Sequence, residues 1–312
     1  MIATANTFKI RREQGFELYV LRNQFVELAV VPELGAKIIS LKNLRTGREW
    51  LWHPPGGLKL FRNQSGDDFS QSPLAGIDEC LPTIESCVWR GRGLPCHGEV
   101  WTTPWRVDET AWKNGVLKTR AELKISPFGF ERTIALDGDE IQIRYQLRNR
   151  SAVGENYVWA IHPLLKLQAG DRLELPDATR SLLNGAAWVD ALDSTVPEKN
   201  CAKIFAAPVR EGRAAIKNLR TRDRLEFEWD PAENNALGLW LTRGGWHGHH
   251  HFSVEPTNAA ADSLAAAAGQ NRCGIIPGNG VIHWWLRIRV GCQESGLKDA
   301  ENTSLARPAR LS

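Results

Sequence analysis

The sequence predicts an all-β fold, an antiparallel β-sandwich, and three observations carry that expectation. Residues 117–125 and 140–148 alternate strictly between apolar and charged or polar side chains, as strands with one wet face do. Short apolar runs are separated throughout by Gly, Pro, Asn and Asp turn signals. Only residues 258–269, rich in alanine, read as a helix, and that helix is short. Many short strands with turns between them build a sandwich. One domain over residues 5–292 is the simplest division, with a polar, aperiodic tail over 293–312.

Taken in order, residues 16–31 alternate, Glu33-Leu34-Gly35 turns the chain, and Ala36 to Leu41 forms the next strand. Residues 53–76 and 89–98 are rich in turn-forming residues and read as long surface loops, which in compact domains tend to carry function. Asp137-Gly138 is a hairpin turn ahead of 140–148. Residues 157–167 are apolar but interrupted by His162-Pro163. The signal between 170 and 222 is weak. Leu225, Phe227 and Trp229 then share a face, and two strand-like runs flank Gly244-Gly245, the second ending in Glu255. Val281 to Val290 alternates again.

Composition narrows the function. A formal charge of +3 on 312 residues gives no electrostatic case for nucleic acid or an anionic membrane. The six cysteines form no CxxC pair and no zinc spacing, and read as free thiols of a reducing compartment. The first residues lack the apolar core of a secretory signal, and no stretch is long enough to span a bilayer, so the expectation is cytoplasmic. Thirteen tryptophans against three tyrosines are unusual, and indole faces stack well on the apolar faces of sugars.

Three residues stand out as chemistry-bearing. Glu255 puts a carboxylate at the end of an apolar strand, where burial is costly unless the charge is paired or used. His162 interrupts another apolar strand, and His97 sits in a glycine-rich loop. Each alone is more often structural, but imidazole and carboxylate together make an acid/base set. Asp78-Glu79 either binds a polyol or caps a turn. On a strand, His247, His249 and His251 would share a face and could hold zinc, but no other ligand pattern accompanies them, so no metal is expected. No phosphate loop, nucleophile elbow or dinucleotide fingerprint is present.

Four stretches together resemble the aldose 1-epimerase, or galactose mutarotase-like, family. They are VVPELGAKIISLKNLRTGREWLW (30–52), GIDECLPTI with LPCHGEVW (76–101), YVWAIHPLLKL (157–167), and GGWHGHHHFSVEPTNAAADSL through PGNGVIHWW (244–285). The resemblance implies a large antiparallel β-supersandwich with an open groove, a small-molecule carbohydrate as partner and no cofactor. It implies Glu255 as the base at the anomeric hydroxyl, His162 as the acid at the ring oxygen, and His97 as a helper. Around them Asp78, Glu79, Glu99, Trp101, Arg62, Trp246 and His247 are expected to line the sugar site. Arg62-Asn63 reverses the order of the family's Asn-Arg pair, and no mid-chain Asp among Asp177, Asp190 and Asp193 stands out as its sugar-binding aspartate. A non-catalytic sugar-binding domain, a phosphosugar epimerase using Arg90, Arg92 and Arg243, and a hydrolase pairing Glu79 or Glu99 with Glu255 are the alternatives.

Overall fold

Strand pleating sorts the side chains of this chain into two large antiparallel sheets. The computed structural model describes residues 6–183, 185–190, 192 and 198–292; Asp193 and the tail expected over 293–312 lie outside them. The first sheet has nine strands, in the order Thr7–Glu13, Phe16–Arg22, Val26–Val31, Lys37–Asn43, Ile77–Cys80, Ala160–Pro163, His250–Thr257, Ala236–Arg243 and Asn200–Ala206. The second has eight, in the order Asp171–Glu174, Arg213–Asn218, Asp223–Trp229, Val281–Cys292, Glu140–Asn149, Phe128–Asp137, Leu117–Glu122 and Arg106–Val107.

Alternate residues of both sheets meet in one core. Ile38, Ile77, Ile161, Phe252 and Val254 enter it from the first sheet, and Phe130, Ile143, Phe227, Trp284 and Leu286 from the second. The alternation read from 117–125, 140–148 and 281–290 is this inward face. Asp137-Gly138 makes the tight turn between Phe128–Asp137 and Glu140–Asn149, which pair from end to end.

Three local expectations change. Residues 89–98 are not all loop: Cys87–Trp89 pairs with Arg92–Leu94 as a small hairpin. The alanine-rich helix is only Leu264–Gly269, started by Ser263, whose hydroxyl caps the Ala266 N–H. In the histidine run, the strand begins at His250, and residues 245–248 form a turn. All six cysteines are free. Among the described residues no helix is long and apolar enough to cross a membrane.

Because inward residues of the nine-stranded sheet fill the core, their chain neighbours face outward. Six adjacent strands thereby set Lys37, Asp78, His162, Glu255, Trp240 and Lys203 on the outer face, in register order. His162 lies directly opposite Asp78, and Lys203 opposite Trp240. This row is where the site is built.

Candidate active site

Glu255 is completely buried and His162 nearly so, yet they touch: His162 Nε2 stands 3.5 Å from Glu255 Oε1. Gly238 lies across the strand pair from Glu255, and a Cβ there would come within 3.1 Å of Oε2. The missing side chain leaves the carboxylate its space. Lys203 approaches from the neighbouring strand, with Nζ 3.1 Å from Oε2. Beyond that ion pair, Glu255 Oε1 and His162 Nδ1 have no hydrogen-bond partner among the described residues. Buried polar atoms left open in this way are uncommon and call for an explanation.

His97 completes the cluster from the loop above. Its ring meets that of His162 edge to face, with centroids 4.9 Å apart, and stacks on Phe69 at 3.8 Å. The backbone that holds it is unusual. His97 sits at φ +60, in the left-handed region, and its N–H bonds Ile84 O at 2.6 Å. Gly98 follows at φ +69, and a Cβ there would lie 1.9 Å from Leu81 O, so only glycine fits. The sulfur of Cys96 lies 3.1 Å from His97 Nδ1. Burial, joined by Asp68, raises the Cys96 pKa, so the thiol is neutral, and the tautomer of His97 decides which of the two atoms donates.

Electrostatics keep both imidazoles neutral. Burial is the main cause for each, holding the pKa well below 6.5. For His97 the charges of His162, Lys203 and Lys37 add to it, and for His162 those of Lys203, His251 and Lys37. Lys37 forms a buried ion pair with Asp78 on the far side of His162. Burial raises the Asp78 pKa, opposed by Lys37.

The aromatic wall is made by Trp240, 5.6 Å from His162, by Trp246 against Trp240 at 5.3 Å, and by Trp52. His251 is buried between Trp240 at 4.9 Å and Trp52 at 5.1 Å, and both of its ring nitrogens lack hydrogen-bond partners among the described residues. Burial lowers its pKa to about 3, with His249 and His250 contributing. The sign of the linkage follows. An unfolded His251 takes a proton near pH 6.5 and the folded one does not, so its contribution to stability is complete above that value and lost as pH falls. At pH 5.5 this costs about 1.4 kcal/mol. The free-energy difference between unfolding at pH 7.5 and at pH 5.5, measured by urea denaturation, is therefore expected to shift by that amount in His251→Leu, toward greater acid tolerance. An identical pH dependence in the variant contradicts the assignment.

The remaining sequence candidates are not all brought here. Glu79 points inward, where it accepts from Arg132 Nη1 at 2.9 Å, Tyr145 Oη at 3.0 Å and Trp159 Nε1 at 2.8 Å. Glu99 clamps a turn by accepting from the N–H groups of Lys124, Ile125 and Ser126. Neither faces Glu255, so the two-carboxylate pairing of the hydrolase alternative is not formed by them. Trp101 is buried, gives its indole N–H to Cys96 O, and packs edge-on against Phe69. Arg62 is exposed and paired with Glu33. With Lys37, Glu99 and Trp101 it lines a cavity of about 410 Å³ whose walls do not include His97, His162 or Glu255. His247 is exposed on its turn, beside Trp246. Among the mid-chain aspartates, Asp190 pairs with Arg180 at the surface and Asp177 opens the helix Asp177–Ser181. Arg90 and Arg92 both meet Glu155.

The sequence reading missed Lys203, Asp262, Phe69, Trp52 and Trp240 as site residues. Lys203 falls in the stretch of weakest pattern, and only the pairing of Asn200–Ala206 with Ala236–Arg243 brings it to Glu255.

Solved structures share this architecture. A galactose mutarotase-like protein from Clostridium acetobutylicum superposes with a TM-score of 0.68 at 12% identity, covering 92% of this chain and 99% of that one. The chain has the galactose mutarotase-like fold. A protein from Klebsiella pneumoniae subsp. pneumoniae, described provisionally as an aldose 1-epimerase, gives 0.67 at 15% identity, over 92% of this chain and 84% of the other. One from Escherichia coli K12 with the same provisional description gives 0.66 at 14%, over 89% and 100%. No family model and no curated relative matches the chain. At these identities the mutarotase-like likeness is one of fold, and the chemistry must be argued from the site.

Proposed function

We propose that this protein is an aldose 1-epimerase that interconverts the α and β anomers of a reducing sugar, with Glu255 as base and His162 as acid. The carrying observation is the 3.5 Å separation of His162 Nε2 from Glu255 Oε1. Anomerisation removes a proton from one oxygen and delivers one to another, and both oxygens sit on the same carbon. An acid and a base side by side suit that task. Glycoside hydrolysis instead wants two carboxylates about 5 Å or more apart, across a bond.

The steps follow from the groups available. Glu255 takes the proton of the anomeric hydroxyl, whose oxygen forms the carbonyl as the bond from the anomeric carbon to the ring oxygen breaks. The ring oxygen takes the proton of a neutral His162 N–H; a neutral imidazole is a competent donor to a developing alkoxide. The proton on Glu255 returns to His162 across their contact. Rotation of the open aldehyde and the reverse steps give the other anomer. In its Nε2–H tautomer, His97 donates to the ring oxygen and shares its charge. Trp240 and Trp246 offer faces for the apolar side of a pyranose. Neutral sugars are the favoured class, since the two lysines of the site, Lys37 and Lys203, are each matched by a carboxylate.

Polarimetry tests the reading. A crystalline anomer of each common pyranose is dissolved with and without enzyme at pH 7. Faster equilibration for at least one sugar is expected; no acceleration for any neutral or phosphorylated aldose rejects the proposal.

A further inference from the structure

We propose that Lys203 is the positioning residue that keeps Glu255 ionised and aimed, and that Asp262 holds Lys203 in place. The inference rests on the reading of Glu255 as the base. A fully buried carboxylate with no cation beside it protonates, and a protonated carboxyl cannot take the anomeric proton. Glu255 has two partners within ion-pair distance among the described residues, His162 and Lys203, and His162 is neutral. Lys203 therefore supplies the compensating charge.

The geometry shows how it is held. Lys203 Nζ stands 3.1 Å from Glu255 Oε2 and 2.6 Å from Asp262 Oδ1, and its ammonium lies 5.2 Å from the centre of the Phe205 ring. Lys203 and Asp262 are about one-quarter and one-third exposed, so the pair sits at the wet edge of the site. Asp262 is itself pinned. Its carbonyl accepts from the N–H groups of Ile84 and Glu85 and from the Thr83 hydroxyl. Ile84 in turn accepts the His97 N–H. One loop thus sets both the lysine clamp and the helper histidine.

The other titratable groups around Glu255 do not substitute for Lys203. Cys80, on the strand Ile77–Cys80, is buried with its pKa raised by burial and then by Glu255, and is a neutral thiol. Lys37 lies beyond His162 and is committed to Asp78. His97 and His251 are neutral. Burial works against the Lys203 ammonium, but Glu255 and Asp262 outweigh it and raise its pKa, so Lys203 acts as a fixed charge.

The test compares wild type, Lys203→Met, Lys203→Arg and Asp262→Asn. The carboxyl carbon of Glu255 is titrated by NMR in protein labelled at glutamate, the signal being assigned by its loss in Glu255→Gln. In Lys203→Met the Glu255 midpoint is expected to rise by at least one pH unit. The acid limb of kcat for anomer exchange rises with it, while KM stays within about twofold. Lys203→Arg restores both to within half a unit, and Asp262→Asn shifts them the same way by less. If Lys203→Met does not fold, Asp262→Asn alone decides: a raised midpoint supports the proposal. An unchanged Glu255 midpoint in the folded variant overturns it. If wild type exchanges no sugar but the midpoint still rises, the epimerase reading fails and the role of Lys203 stands.

Discussion

Glu255→Gln is expected to lower kcat for anomer exchange by about 10²–10⁴-fold, the range that a positioned general base contributes. The amide keeps the size of the carboxyl, so the strand His250–Thr257 and the space opposite Gly238 need not rearrange. It cannot take a proton, so the first step stops. KM should change little, because the loss falls on the transition state rather than on ground-state binding. The melting temperature, measured alongside, separates this from unfolding: a folded variant that exchanges anomers at the wild-type rate removes Glu255 from the mechanism.

His162→Gln is expected to cost about 10²-fold or more in kcat, since the ring oxygen then leaves without a proton. The pH profile is the finer observable. The His162 pKa lies well below 6.5, with burial the leading cause, so the imidazole is neutral throughout the physiological range. The wild-type rate should thus be flat from about pH 6.5 to 8, because neither His162 nor His97 changes its charge there. A rate that falls with a midpoint between 6 and 7.5 as pH rises would mean that an imidazolium is the working acid.

Much of this fold was legible because strands facing one core repeat every two residues. The stretches 117–125, 140–148 and 281–290 show that period plainly, and they pack together in the eight-stranded sheet. The same rule explains one misplaced expectation. Asp78 and Glu79 look like one acidic pair in the sequence, but neighbours on a strand point to opposite faces. Asp78 reaches the site beside Lys37, while Glu79 turns into the core against Arg132, Tyr145 and Trp159. The parity of the strand decides this, and a four-residue strand such as Ile77–Cys80 carries too little pattern to fix it.

His97, His162 and Glu255 were visible because each is chemically out of place in its segment: a histidine beside glycine, a histidine in an apolar strand, a carboxylate ahead of proline. The structure brings those three side chains together. Lys203 gave no such signal. A lysine in the strand Asn200–Ala206 looks like any solvated strand residue, and its meaning comes wholly from what lies across the sheet. The run from His247 to His251 misled in the other direction. Read as strand, it offered three ligands on one face, but His247 lies on the turn and His249 between turn and strand, and their rings pack among Trp246 and Trp52.

The central claim is that Glu255 and His162 open and reclose a sugar ring. Its most direct measurement is saturation-transfer NMR on an aldose labelled with ¹³C at the anomeric carbon, at equilibrium, with wild type and with Glu255→Gln. Saturating the α signal should deplete the β signal in proportion to wild-type enzyme and leave it untouched with the variant. Equal transfer with both proteins, or none with either across the pyranoses, would contradict the account.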